Sequence, residues 1–122
     1  MFNSVGIMGR LGQSPELKYT GSGVPFVSVS LAVERDRKNQ STGEREVDWV
    51  NCIAWRHTAM FIEKHFAKGQ LALVQGHLRS RKWTDDKTGD DRYAMDVVVD
   101  EIYFAGPPRQ TQSETPNEPF PF

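Results

Sequence analysis

The chain has 122 residues, 38% hydrophobic and 25% charged, which is the composition of one globular domain able to bury a core without disulfides or metal. No apolar stretch reaches the roughly 18 residues of a membrane span, and the start does not read as a secretory leader. Cys52 is the only cysteine, so an intrachain disulfide is excluded and a reducing, cytoplasmic setting is the expectation.

The net charge is −1. Residues 1–106 carry 14 Lys and Arg against 14 Asp and Glu, and residues 107–122 add Arg109 against Glu114 and Glu118. A uniformly basic body is therefore excluded, and any anion-binding surface must come from where charges stand.

In chain order, Val5 and Ile7 alternate with Gly6 and Met8 in a first strand, roughly 3–11. Gly12 to Gly23 reads as a loop with a strand extension around Glu16–Tyr19. Val27, Val29, Leu31 and Val33 mark a second strand of strict period two. Arg35 to Glu46 is a polar connection with a turn at Ser41-Thr42-Gly43. Val47 to Arg56 is a third strand, rich in β-branched and aromatic residues.

Thr58 is placed to cap a helix running to Lys68, with Ala59, Ile62 and Phe66 on one face and Gly69 as its stop. A fourth strand spans Leu71 to Trp83, a hairpin loop Thr84–Arg92, and a fifth strand Tyr93 to Phe104. Five strands with one helix between the third and fourth is the order of an OB-fold, a small five-stranded Greek-key barrel that binds ligands on strands 2–3 and with the 1–2 and 4–5 loops. Residues 1–106 form that domain. Residues 107–122, rich in Pro, Gln and Ser, read as a disordered tail ending in Asn117-Glu118-Pro119-Phe120-Pro121-Phe122.

Two strands carry chemistry. In the fourth, His77, Arg79, Arg81 and Trp83 share one face, with Gly76 and Leu78 on the other. In the third, the small apolar Val50, Cys52 and Ala54 suit a narrow barrel interior, so Trp49, Asn51, Ile53 and Trp55 point outward. All three tryptophans then sit on outer faces, where an indole either packs against a partner or waits for a flat ligand. Arg56 follows Trp55, Arg79, Arg81 and Lys82 flank Trp83, and Arg35, Arg37 and Lys38 stand at the base of the hairpin between the second and third strands. Aromatic rings for bases and cations for phosphates make a surface for single-stranded nucleic acid. Asp85, Asp86, Asp90 and Asp91 repel phosphate at the tip of the last hairpin, leaving contact to its flanks, Lys82, Trp83 and Arg92.

Catalytic patterns are weak by comparison. His57, His65 and His77 have no metal-ligand spacing to one another or to Cys52, which reads as a buried small hydrophobe. No Gly-rich loop leads from a strand into a helix. No enzyme activity, cofactor or metal is expected.

Gly9-Arg10-Leu11-Gly12-Gln13-Ser14-Pro15-Glu16-Leu17-Lys18-Tyr19, Asp48-Trp49-Val50-Asn51-Cys52, Arg79-Ser80-Arg81-Lys82-Trp83-Thr84-Asp85 and Asp91-Arg92-Tyr93 together resemble bacterial and phage single-stranded DNA-binding proteins across residues 1–106. The resemblance implies a homotetramer that coats single-stranded DNA in replication, recombination and repair. It places Trp49, Trp55 and Trp83 at base-stacking positions, Trp55 where phenylalanine is common. Arg37 stands where an aromatic is frequent, implying an ionic or guanidinium-stacking contact there. The resemblance also implies that the tip, Glu118, Pro119, Phe120, Pro121 and Phe122, recruits replication and repair proteins. It keeps Pro121-Phe122 but lacks the family's run of aspartates, with Glu118 the only acid in its last six residues. A protein-interaction module on the same fold, of primosome or phage accessory type, is the alternative.

Overall fold

A computed structural model describes residues 1–106. The expected tail with its Glu118-to-Phe122 tip lies outside the described residues. Seven elements follow in order: β1 (Val5–Leu11), β2 (Lys18–Tyr19), β3 (Pro25–Lys38), β4 (Arg45–Trp55), α1 (Arg56–His65), β5 (Leu71–Thr84) and β6 (Asp91–Phe104).

The strands run β1-β5-β6-β4-β3-β2, and a further pairing of β1 with β3 through Arg10↔Ala32 and Leu11↔Leu31 closes the five long strands into a barrel. Only β4 and β6 run parallel, at Cys52↔Val97 and Ile53↔Val98. This is the expected OB-fold. The two-residue β2 extends β3 at its start, where the Glu16–Tyr19 extension was expected.

Alternation fills the interior as period two requires. Leu11, Val27, Val29, Leu31, Cys52, Ala54, Ala72, Val74, Val97 and Val99 form the core, with Ala59, Ile62 and Phe66 from the helical segment. Phe66 stacks on Phe104 with ring centroids 4.5 Å apart. At Gly76 the β5–β6 register shifts, Gln75 pairing with Glu101 and Gly76 with Val99, so Asp100 is the extra residue of a bulge. A Cβ on Gly76 would stand 1.9 Å from the Val98 carbonyl oxygen, so the strands can meet there only at a glycine.

The helix departs from expectation at both ends. It begins at Arg56, with Trp55 as N-cap and no side-chain capping bond, and it ends at His65, before Lys68. Thr58 is therefore not the cap. Arg56 takes the left-handed backbone conformation, φ 56°, which turns the chain straight from β4 into α1 without a capping residue's loop. Gly69 (φ 87°) shapes the following turn instead, its N–H donating to the Leu11 carbonyl at 2.8 Å.

The two polar connections are shorter than expected. β3 runs on to Lys38 and β4 starts at Arg45, because charges pair across this solvated ribbon. Arg35 donates to Asp48 and to Glu46, and Arg45 donates to the carbonyls of Arg35 and Asp36. Arg37 accordingly lies within β3, not in a loop. β5 and β6 likewise extend to Thr84 and from Asp91, leaving a tight turn in which Gly89 takes φ 74°.

Candidate nucleic-acid interface

The candidate interface comprises the outer face of β3 and β4 and the β5–β6 ribbon. Register fixes which side chains share a face. On β4, Trp49, Asn51, Ile53 and Trp55 pair with Ala32, Ser30, Ser28 and Phe26 of β3, so Trp49 stands opposite a small side chain and Trp55 opposite an aromatic one. On the ribbon, Arg79 pairs with Asp96, Arg81 with Ala94 and Trp83 with Arg92, whereas Lys82 pairs with Tyr93. Opposed residues in an antiparallel pair lie on one side of the sheet. Trp83, Arg79, Arg81 and Arg92 therefore belong to one side, and Lys82 and Tyr93 to the other.

Trp49 is 64% exposed and Trp83 43%. Trp49 lies over Gly12, where a Cβ would come within 2.5 Å of its Cζ3. Trp55 is half-buried, its ring 5.4 Å from that of Phe26. Trp83 carries the Arg81 guanidinium over its face, the central carbon 4.8 Å from the ring centroid.

The cations divide into two groups. Arg81 Nε donates to Asp96 Oδ2 at 2.7 Å, Lys82 Nζ lies 3.4 Å from Asp91, and Arg92 Nη2 lies 3.4 Å from Asp85. Arg37, Arg56 and Arg79 are exposed and make no side-chain hydrogen bond or ion pair among the described residues. Arg56 sits at the first residue of the helix rather than on a strand. The hydrogen bond from Arg81 holds the Asp96 carboxyl below its ordinary range against the opposing effect of burial, and the bond from Asn51 adds to the lowering.

Three groups at this surface were not singled out from the sequence. Phe26 extends the Trp55 platform, and the period-two alternation Phe26-Ser28-Ser30 could have revealed it. Tyr93, 69% exposed with the Lys82 ammonium 5.8 Å from its ring centroid, extends the reverse side of the ribbon. Asp96 required the β4–β6 pairing, which no local pattern encodes.

Other candidates are accounted for structurally. Burial, with a smaller effect of the Asp96 charge, pushes the Cys52 thiol up to about 12. His77 Nδ1 lies 3.1 Å from an Asp100 carboxylate oxygen. Among the described residues no three His, Cys, Asp or Glu side chains are placed to hold a metal ion, and no helix is long and apolar enough to cross a membrane.

Residues 2–105 match the model of the single-strand binding protein family. The chain belongs to that family. Among its family relatives, the single-stranded DNA-binding protein B of Bacillus subtilis is 39% identical over 115 residues, covering 93% of this chain and 100% of the relative. The single-stranded DNA-binding protein of Halalkalibacterium halodurans is 39% identical over 114 residues, again 93% of this chain but 66% of the relative. The chain thus spans the whole of one relative and about two thirds of the other. A solved structure described as a Plasmodium falciparum SSB complex with ssDNA superposes with a TM-score of 0.74, covering 87% of this chain and 97% of the other at 23% identity. That likeness shows the family's fold.

Proposed function

We propose that this chain binds single-stranded DNA with little regard to sequence, through bases stacked on Trp49, Trp55 and Trp83 and phosphates met by Arg37, Arg56, Arg79 and Arg92. The observation that carries the reading is the pair of exposed indoles, Trp49 and Trp83, the second on the same side of the ribbon as Arg79 and Arg92. Every base has a π-face, so such platforms hold single strands without reading an edge. Membership of a family whose relatives are named for this binding supports the same conclusion, and the role is binding, not catalysis.

On this reading the protein coats exposed single strands in replication, recombination and repair, acting in the cytoplasm at the nucleoid. Binding only the unpaired state favours that state by mass action. Assembly as a homotetramer, and recruitment of replication and repair proteins by the Glu118-to-Phe122 tip, belong to the proposal. Lys82 and Arg81 take lesser parts than the sequence suggests, since one faces the reverse of the ribbon and the other is held by Asp96.

Titration of the chain with oligo-dT tests the core of the proposal. Tryptophan fluorescence should be quenched, and affinity should fall steeply as salt rises. Unchanged fluorescence with salt-indifferent binding would refute the mechanism. Absence of a mobility shift on oligo-dT would favour a protein-interaction module.

A further inference from the structure

Asp96 is the only acidic side chain buried among the described residues. It lies on the same side of the ribbon as Arg79, Arg81, Trp83 and Arg92. A carboxylate there is unfavourable on two counts. Removing it from water costs free energy unless it is well paired, and its charge repels the phosphates that the surface is read to bind.

The pairing is complete and spans three strands. Asn51 Nδ2 of β4 donates to Asp96 Oδ1 at 2.9 Å. From the other side, Arg81 of β5 donates through Nε to Oδ2 at 2.7 Å, with Nη2 3.4 Å from Oδ1. An arginine fork bound in this way has a fixed plane. That guanidinium lies over the ring of Trp83.

We propose that Asp96, tethered by Asn51, is a positioning residue for DNA binding: it holds the Arg81 guanidinium against one face of the Trp83 indole and so presents the opposite face to a base. This inference rests on the binding function proposed above. It changes the part assigned to Arg81. Its charge is already met by a buried carboxylate, so the side chain serves Trp83 as a backing plate, and phosphate contact falls to Arg79 and Arg92.

Asp96→Asn is the direct test. The asparagine can still accept from Asn51 at Oδ1 but presents an amide, itself a donor, to Arg81 Nε. Arg81→Lys is the second variant, keeping a positive charge beside Asp96 while losing the planar fork. Thermal melts establish that each variant folds.

Two readouts apply. In free protein with Trp49 and Trp55 replaced by Phe, acrylamide quenching of Trp83 should rise in both variants as the guanidinium leaves the ring. In chains retaining all tryptophans, oligo-dT affinity is measured across salt and extrapolated to about 1 M, where the counterion contribution vanishes from the log–log plot. The extrapolated affinity should fall about two- to fivefold, the range of an exposed cation–π contact, with the salt slope of Arg81→Lys unchanged.

Unchanged quenching and an unchanged extrapolated affinity in a folded variant overturn the proposal. So does Asp96→Asn binding more tightly with a steeper slope and an undiminished extrapolated affinity, because the carboxylate would then only compete for the cation. If the unaltered chain fails to bind oligo-dT, the binding function itself falls. Intact binding by that chain with unmoved variants removes only the role of Asp96.

Discussion

Gly12 follows the last residue of β1, its N–H donating to the Ser30 carbonyl at 2.8 Å, directly beneath Trp49. A methyl group added by Gly12→Ala would stand 2.5 Å from Trp49 Cζ3 and 3.3 Å from the Ser30 oxygen. Carbons touch at about 3.5–4.0 Å, so the indole must move by about 1 Å. It can do so because most of its surface is in solvent, and Gly12 is not in the left-handed backbone region. The fold should therefore change little, within the roughly 1 kcal/mol typical of such replacements.

Binding should respond more strongly. Stacking of one base is worth about 1–3 kcal/mol by alanine substitution, a range drawn in part from proteins of this kind, so Trp49→Ala should weaken oligo-dT binding by about 5- to 150-fold. Gly12→Ala should lose a part of the same free energy. The decisive comparison is the double-mutant cycle at one fixed salt concentration, read by fluorescence anisotropy of a labelled oligo-dT. Once Trp49 is alanine, adding Gly12→Ala should cost no further affinity. Equal losses from Gly12→Ala with and without the indole would refute the idea that this glycine acts by seating Trp49.

Gly76→Ala drives a Cβ into the Val98 backbone and should destabilise the barrel by about 3 kcal/mol or more, beyond ordinary overpacking; an unshifted thermal melt would refute the close approach seen in the bulge. Arg79→Ala should reduce the slope of log affinity against log salt by about 0.7, the contribution of one phosphate on a single strand, and an unchanged slope would remove Arg79 from the interface. Cys52 should resist thiol reagents in the native state at neutral pH and react on unfolding. Because its thiol is raised to about 12 while the unfolded value is 9.0, the unfolded chain gives up the proton first, so its contribution to stability is lost as pH rises between those values. Cys52→Ala should remove that part of the alkaline loss in urea melts followed from neutral to high pH.

The barrel was legible because its interior obeys period two so closely. Val27, Val29 and Leu31 face the core with Cys52 and Ala54 opposite, and each appears in the sequence as an apolar residue between outward ones. The helix boundaries were not legible, since Arg56 enters α1 through a left-handed backbone that no residue preference favours and Thr58 offers a capping side chain that goes unused. The hairpin arms were obscured by their polarity. Arg35 and Glu46 look like a loop in the sequence but stabilise paired strands once Arg35 meets Glu46 and Asp48 across the ribbon. Trp49 and Trp83 were readable from alternation alone. Asp96 was not, because its role depends on the parallel β4–β6 pairing, a contact between segments 45 residues apart at Asn51 and Asp96.

The pairing pattern also accounts for how a chain of nearly zero net charge can bind a polyanion. Ion pairs near the surface contribute about 0–1 kcal/mol each, so Arg92 can exchange the half-buried Asp85 carboxylate for a phosphate at little cost in stability. That exchange leaves Asp85 to rehydrate at the ribbon's tip, away from the barrel. Arg81 differs, because its partner is a buried carboxylate that has no water to return to, and leaving that charge unpaired is far more unfavourable. The same class of contact thus has two functions on one ribbon. On the proposed reading, a partner at the tip leaves its cation available to the DNA backbone, and a buried partner fixes a cation in place to serve the aromatic ring beside it.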